Sequence, residues 1–117
     1  MALINSSNLP FTKLEAGSGA SMQMLISNEV APNFAMRKFT IEAGGFMPNH
    51  TNSVEHEQYV LSGRARVGLG EKVVEAKAGD ALYIAPGLNH WYEVLGDEPY
   101  VFLCLVPNKT DEIKILN

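Results

Sequence analysis

The sequence predicts an all-β protein, built as an antiparallel sandwich or a closed barrel. Short apolar runs rich in β-branched and aromatic residues recur along the chain, and glycine or proline separates them at short intervals. No window longer than a turn or two has the apolar periodicity of an amphipathic helix. Many short, evenly spaced strands without helices are typical of these two architectures.

The first predicted strand covers residues 34–41 and ends before Gly44-Gly45. A second strand over residues 57–61 ends at Ser62-Gly63, and residues 64–69 follow directly. Ser62-Gly63 therefore predicts a hairpin turn between these two strands.

Turn residues also bound the remaining predicted strands. Gly70-Glu71 predicts a tight turn before the next strand, and Ala78-Gly79-Asp80 predicts another. The last two strands are split by a turn over residues 96–99. These four predicted strands are residues 72–76, 81–85, 90–95 and 100–106.

Length and composition predict one domain over residues 1–117. The chain is 46% hydrophobic and 19% charged, which is ordinary for a folded protein. A net charge of −4 without a basic run disfavours nucleic acid as a partner. No stretch approaches the ~18 apolar residues of a membrane span. The first residues lack the basic start and apolar core of a signal peptide, so we expect a cytoplasmic protein.

The two ends of the chain have the weakest patterns, residues 1–30 and 108–117. Residues 22–26 are too apolar for a free tail. We therefore expect residues 1–30 to add strands to a sheet edge, either the chain's own or that of a partner.

Three histidines carry most of the functional information. His50 and His56 lie close together, and His90 lies far downstream; glycine and proline turn signals bracket each cluster. Imidazole is the commonest protein ligand of transition metals. Cys104 is the only cysteine, which excludes an internal disulfide and a metal site built from cysteine pairs. The pattern predicts a metal site of histidine and oxygen ligands inside a small barrel.

Two motifs contain these histidines. The pattern Gly44-x5-His50-x-Asn52-x3-His56-x6-Gly63 resembles the first motif of the cupin superfamily, and Gly79-x5-Ala85-x-Gly87-x2-His90 resembles the second. The runs 31–37 and 102–105 resemble the small single-domain cupins that use four histidines. The resemblance covers about residues 34–106 and implies a cupin barrel of jelly-roll type and a homodimer.

The resemblance also implies a ligand set. The family's first motif supplies His, His and Glu, and its second supplies one more His. His50, His56 and His90 occupy three of these positions, with His56 in the glutamate position, as in the four-histidine subgroup. Asn52 stands where the second histidine is expected, and Ala85 replaces a proline. Asn52 could be a weak neutral ligand, could hold a metal-bound water, or could be a plain loop residue.

Four further side chains are candidates for the pocket. Strand alternation puts Phe102 and Cys104 on one face, which the resemblance places near the metal; Cys104 could instead be a buried structural thiol. Arg37 could bind a substrate carboxylate or form a surface salt bridge. Tyr92 shares the side of His90 and is expected to border the pocket. Glu57 is expected either at the surface or in support of the metal ligands. Trp91 is expected in the core or an interface, and Tyr59 and Tyr83 in the core.

These residues support three functional hypotheses. Three imidazoles suit Mn, Fe, Ni, Cu, Co or Zn and leave positions open for water, substrate or dioxygen. The first hypothesis is thus a metal-dependent oxygenase or isomerase of a small organic molecule. The second is a module that binds or senses a small ligand, with or without metal, and the third is that Asn52 has cost the protein its metal. The sequence places no carboxylate beside the histidines, which disfavours a protein general base.

Overall fold

The computed structural model describes residues 3–116. It consists almost entirely of strands, with one 3-10 turn at Ser6–Asn8, and so confirms the predicted all-β class. Met1, Ala2 and Asn117, which the predicted domain includes, lie outside the described residues. No helix within residues 3–116 is long and apolar enough to span a membrane.

The structure contains ten strands within the described residues. The strands are β1 (Thr12–Lys13), β2 (Ser18–Ile26), β3 (Phe34–Asn52), β4 (His56–Ser62), β5 (Arg64–Leu69), β6 (Lys72–Lys77), β7 (Ala81–Ile84), β8 (His90–Leu95), β9 (Tyr100–Pro107) and β10 (Ile113–Ile115).

Strand β3 is the centre of the sheet, and its two halves pair with different neighbours. The first half pairs with β2 and β9, whereas the second half pairs with β8 and β10. The main strand order is β6-β5-β8-β3-β9-β4-β7. Because one 19-residue strand belongs to both halves, the sheet curls into a half-barrel, and the inward side chains of both halves form one core.

The prediction that a strand ends before Gly44-Gly45 is wrong, because β3 continues through both glycines. Gly44 has a φ of +79°, which an L side chain rarely adopts. A Cβ on Gly45 would lie 2.5 Å from the carbonyl oxygen of Ser18 on β2. These glycines let β3 change partners while its extended pairing continues.

The predicted hairpin at Ser62-Gly63 is also wrong. Strand β4 pairs with β7 and β9, whereas β5 pairs with β6 and β8, so Gly63 carries the chain from one half of the sheet to the other. Gly63 has a φ of +81° and lies against the backbone of Pro99. The turn at Gly70-Glu71 does join a hairpin, formed by β5 and β6.

Both terminal segments pair with β3 of the same chain. On β2, Ala20 is the register partner of Ile41. On β10, Ile115 is the register partner of His50. The N-terminal segment therefore adds a strand within its own chain, which is one of the two expected outcomes.

Two tyrosines lie on the outer surface, contrary to their predicted place in the core. Tyr59 is 47% exposed and Tyr83 is 57% exposed. Buried and exposed residues alternate along β4, and Tyr59 lies between the inward residues Gln58 and Val60. Aromatic character suggested a core position, but strand alternation decides which face each side chain occupies. As expected, Glu57 is exposed.

Candidate metal centre

Antiparallel pairing brings the three histidines together. His50 on β3 is the register partner of His90 on β8, and their ring centroids lie 4.1 Å apart. His56, the first residue of β4, follows β3 after a short turn, and its ring centroid lies 6.2 Å from that of His90. All three rings are buried, with 7%, 6% and 1% of His50, His56 and His90 exposed.

Backbone carbonyls orient two of the imidazole rings. Nδ1 of His50 lies 2.7 Å from the carbonyl oxygen of Pro48, and Nδ1 of His90 lies 2.9 Å from that of Leu88. Because a carbonyl oxygen only accepts, Nδ1 carries the proton in each ring. The Nε2 atom of each neutral ring therefore keeps a lone pair, which is the usual arrangement of a metal-binding histidine.

Burial keeps two of the rings neutral. It lowers the pKa of His56 to about 4, and the charge of Arg37 adds to this effect. Burial also lowers the pKa of His90 to about 4, with a further contribution from His50. Both imidazoles are thus unprotonated at neutral pH, which is the form that binds a metal.

Asp111 is a functional candidate that the sequence analysis missed. Its Oδ2 accepts a hydrogen bond of 2.9 Å from Nδ2 of Asn52 and lies 3.5 Å from Nε2 of His56. The expectation that no carboxylate lies beside the histidines is therefore wrong. Residues 108–117 have no clear periodicity, and only the distant pairing of β10 with β3 places Asp111 here.

A cavity of about 370 Å³ opens beside the histidines. Its wall is mostly apolar, and Arg37, Tyr92, Phe102 and Cys104 all line it. The other lining residues are Leu14, Glu15, Ala16, Met22, Phe39, Met47, Pro48, His50, Asn52, His56, Gln58, His90, Ile113 and Ile115.

Arg37 lies in the cavity wall without a carboxylate partner among residues 3–116. The alternative of a surface salt bridge is therefore wrong. Its guanidinium lies over the ring of Phe39, 5.0 Å from the centroid, and donates to Sγ of Cys104 at 3.2 Å. Its Nε is buried and has no hydrogen-bond partner. The guanidinium can therefore accept an anion in the cavity.

Two further polar groups of the cavity, the Cys104 thiol and the Tyr92 hydroxyl, are neutral. Burial raises the pKa of the Cys104 thiol, although Arg37 opposes this shift, and raises the pKa of Tyr92 well above its usual value. The hydroxyl of Tyr92 accepts a hydrogen bond of 2.7 Å from Nε2 of Gln58. Gln58 was not predicted, but it lies two residues after His56 on β4, so strand alternation could have identified it.

The donor atoms of this site fit a divalent transition metal. Within residues 3–116 no three His, Cys, Asp or Glu side chains already stand in a metal-holding arrangement. However, Nε2 of His56 and Oδ1 of Asn52 are buried without hydrogen-bond partners, and a buried polar atom without a partner is costly. Together with the lone pairs of His50 and His90, Nε2 of His56 could bind a metal ion.

We expect the metal-free protein to lose stability between about pH 7 and pH 4. The pKa of a histidine in the unfolded chain is about 6.5, whereas His56 and His90 have pKa values of about 4 when folded. The unfolded state therefore binds more protons in this window. The free energy of unfolding decreases as the pH is lowered, by up to about 3 kcal/mol for each histidine. Urea unfolding across the window measures this loss.

The matched variant for this pH experiment is His90→Gln. Acidic residues also contribute to acid unfolding, so only the difference between the two proteins reports on the histidine. The variant should lose less stability than the wild type over the same window. Equal losses would contradict the assignment of a buried neutral His90.

The cupin-domain family model matches residues 37–106, more than half of the chain. The chain therefore belongs to the cupin family, as its curled sheet and paired histidine motifs predict. It is 33% identical over 81 residues to the oxalate decarboxylase OxdC of Bacillus subtilis. That match covers 64% of this chain but only 21% of the decarboxylase, so the chain spans about a fifth of its relative's length.

Solved structures give the same fold. The polyketide cyclase RemF from Streptomyces resistomycificus aligns with a TM-score of 0.91 at 20% identity, over 100% of this chain and 86% of RemF. A cupin 2 domain-containing protein from Halorhodospira halophila aligns with a TM-score of 0.80 at 33% identity, over 91% of this chain and 74% of that protein. The alignment with RemF covers the whole chain, and so includes β1, β2 and β10, which lie outside the region of the family model.

Proposed function

We propose that this protein is a metal-dependent cupin enzyme that acts on a small organic anion. In this proposal His50, His56 and His90 hold one divalent transition metal. The observation that carries the proposal is the set of three buried imidazoles beside one cavity. In two of them, the Nδ1–H group donates a hydrogen bond to a backbone carbonyl. Three protein ligands leave open positions, which suit a catalytic rather than a structural site.

Charge in the cavity favours an anionic substrate. A divalent metal held by neutral imidazoles keeps its charge of +2, and Arg37 adds a positive charge that no carboxylate pairs with among residues 3–116. Asp111 offsets one of these charges. The similarity to an oxalate decarboxylase supports a small carboxylate as the substrate class.

The residues of the cavity would position such a substrate. Arg37 would bind its anionic group, and the apolar wall that includes Met22, Met47 and Phe102 would pack on its carbon skeleton and exclude water. A bound divalent metal supplies Lewis-acid or redox chemistry. We propose an oxygenase or isomerase type of reaction.

A ligand-binding or sensing role is the second candidate. Cys104 and Tyr92 have raised pKa values, so neither supplies an ionised nucleophile. The hydroxyl of Tyr92 exchanges hydrogen bonds with the side-chain amide of Gln58, which is also buried. These features favour a preformed pocket that binds a small molecule without converting it.

Elemental analysis followed by a substrate panel tests both candidates. The protein is purified without added metal, analysed, and then offered Mn, Fe, Co, Ni, Cu and Zn separately. Stoichiometric metal with turnover of a small carboxylate, diketone or catechol supports the enzyme. Metal with saturable ligand binding and no turnover supports the binding role, and failure to take up any of the metals contradicts the proposed site.

Arg37→Met is expected to weaken carboxylate binding about 10–100-fold in the metal-loaded protein. The substitution keeps the packing on Phe39 but removes the charged donor, and a hydrogen bond between charged groups contributes about 1.5–3 kcal/mol. Isothermal titration calorimetry with the best-binding carboxylate of the panel measures the loss. Arg64→Met is the control, because Arg64 is exposed and pairs with Glu75 away from the cavity. Equal affinities of the two variants would contradict the role of Arg37.

A further inference from the structure

The C-terminal segment, residues 108–116, is held against the metal centre. Strand β10 pairs with the last three residues of β3, from His50 to Asn52. After β10, the amide of Leu116 donates to the carbonyl of Asn49 at 2.8 Å. Before β10, the amide of Glu112 donates to Oγ of Ser53 at 2.7 Å. The segment is thus anchored on both sides of the strand, and Asp111 lies at the anchored end nearest His56.

Both carboxylate oxygens of Asp111 are fixed by β3 and the turn after it. Oδ1 accepts a hydrogen bond of 2.9 Å from the amide of Ser53, and Oδ2 accepts one of 2.9 Å from Nδ2 of Asn52. The Nδ2 group of Asn52, which has no lone pair for a metal, is engaged with the carboxylate of Asp111. This hydrogen bond makes Asn52 a residue that positions Asp111.

The approach of Asp111 to His56 has the spacing of two ligands on one ion. Oδ2 of Asp111 lies 3.5 Å from Nε2 of His56, yet the His56 nitrogen is buried and makes no hydrogen bond. Bonds of about 2.0–2.2 Å to a metal place adjacent donor atoms about 3–3.5 Å apart. A shared metal ion would satisfy both atoms at the observed separation, whereas a shared proton would draw them closer.

We infer that Asp111 is the fourth, anionic ligand of the metal centre, and that Asn52 is the residue that positions its carboxylate. This inference rests on the proposed metal site of His50, His56 and His90. A fourth ligand leaves two open positions on a six-coordinate ion and one on a five-coordinate ion. The carboxylate also lowers the charge of a divalent centre by one, which helps to retain the metal in a buried cavity.

Cobalt(II) titration of the full chain tests this inference, because the absorption bands of cobalt report its ligand set independently of any activity. The variants are Asp111→Asn and Asn52→Ala, and the control is Glu112→Gln, which neutralises the adjacent exposed carboxylate. Asp111→Asn should weaken cobalt binding about 100-fold and shift the bands. Asn52→Ala should weaken binding about tenfold and keep the band positions, as expected of a positioning residue.

The outcomes separate this inference from the proposed function. If the wild type and Glu112→Gln bind no cobalt, the proposed metal site fails. If both bind cobalt and Asp111→Asn binds it with the same affinity and spectrum, Asp111 is not a ligand and the inference fails. Urea unfolding of each metal-free variant shows whether it is folded, and the band positions of Asn52→Ala provide a second test if Asp111→Asn is unstable.

Discussion

His56→Ala is expected to lose at least 99% of the metal affinity of the wild type, a fall of about 100-fold or more. His56 supplies one of only three imidazoles in the chain, and its Nε2 is buried without a hydrogen-bond partner. Removing a residue that only supports a ligand commonly costs about 10–100-fold in metal affinity, so removing a ligand should cost at least as much. Competition with a chromophoric chelator measures the affinity.

Glu57→Ala is the matched control for this substitution. Glu57 is the next residue of β4, is exposed, and lies on the opposite face of the strand. Metal should also raise the unfolding temperature of the wild type and of Glu57→Ala, but not that of His56→Ala, because a ligand stabilises only the state that binds it. Equal affinity in the three proteins would show that the metal, if bound, lies elsewhere.

The grouping of the three histidines could be predicted from the sequence because each lies within one of two short motifs. The spacing of His50 and Asn52 follows from the two-residue period of a strand, and both side chains point inward. The same period explains why Tyr92 and Cys104 line the cavity. The sequence analysis missed Asp111, which lies beside His56 although it is distant in the chain. Asp111 reaches the site through a three-residue strand that has no periodic signature of its own.

The predicted fold shows the same division between local and long-range information. Strand positions from Arg64 to Leu69 and from His90 to Leu95 match the structure, because turn residues bound them on both sides. The connections do not follow from the sequence alone. A glycine that turns a hairpin and one that carries the chain between two sheet halves look alike in sequence. Only the pairing of β4 with β9 and of β5 with β8 distinguishes them.

Gly63→Ala is expected to destabilise the protein by about 2–5 kcal/mol. Gly63 has a φ of +81°, and an L residue in that region costs about 1–2 kcal/mol. An added Cβ would also lie 2.2 Å from the carbonyl oxygen of Pro99, a backbone atom that a side-chain rotation cannot move. Relieving such overpacking typically costs a further 1–3 kcal/mol, roughly. Urea unfolding measures the loss, which corresponds to about 4 °C in unfolding temperature for each kcal/mol in a chain of this length.

Gly44→Ala separates the two contributions, because Gly44 has nearly the same φ, +79°, but a Cβ there meets nothing within 4 Å. This control should cost only the conformational part, about 1–2 kcal/mol. The difference between the two variants then measures how closely the crossing at Gly63 packs on Pro99. Equal losses would mean that the backbone relaxes freely at Gly63. A larger loss at Gly63 would show that the crossing between the two sheet halves, which joins β4 to β5, has little freedom to move.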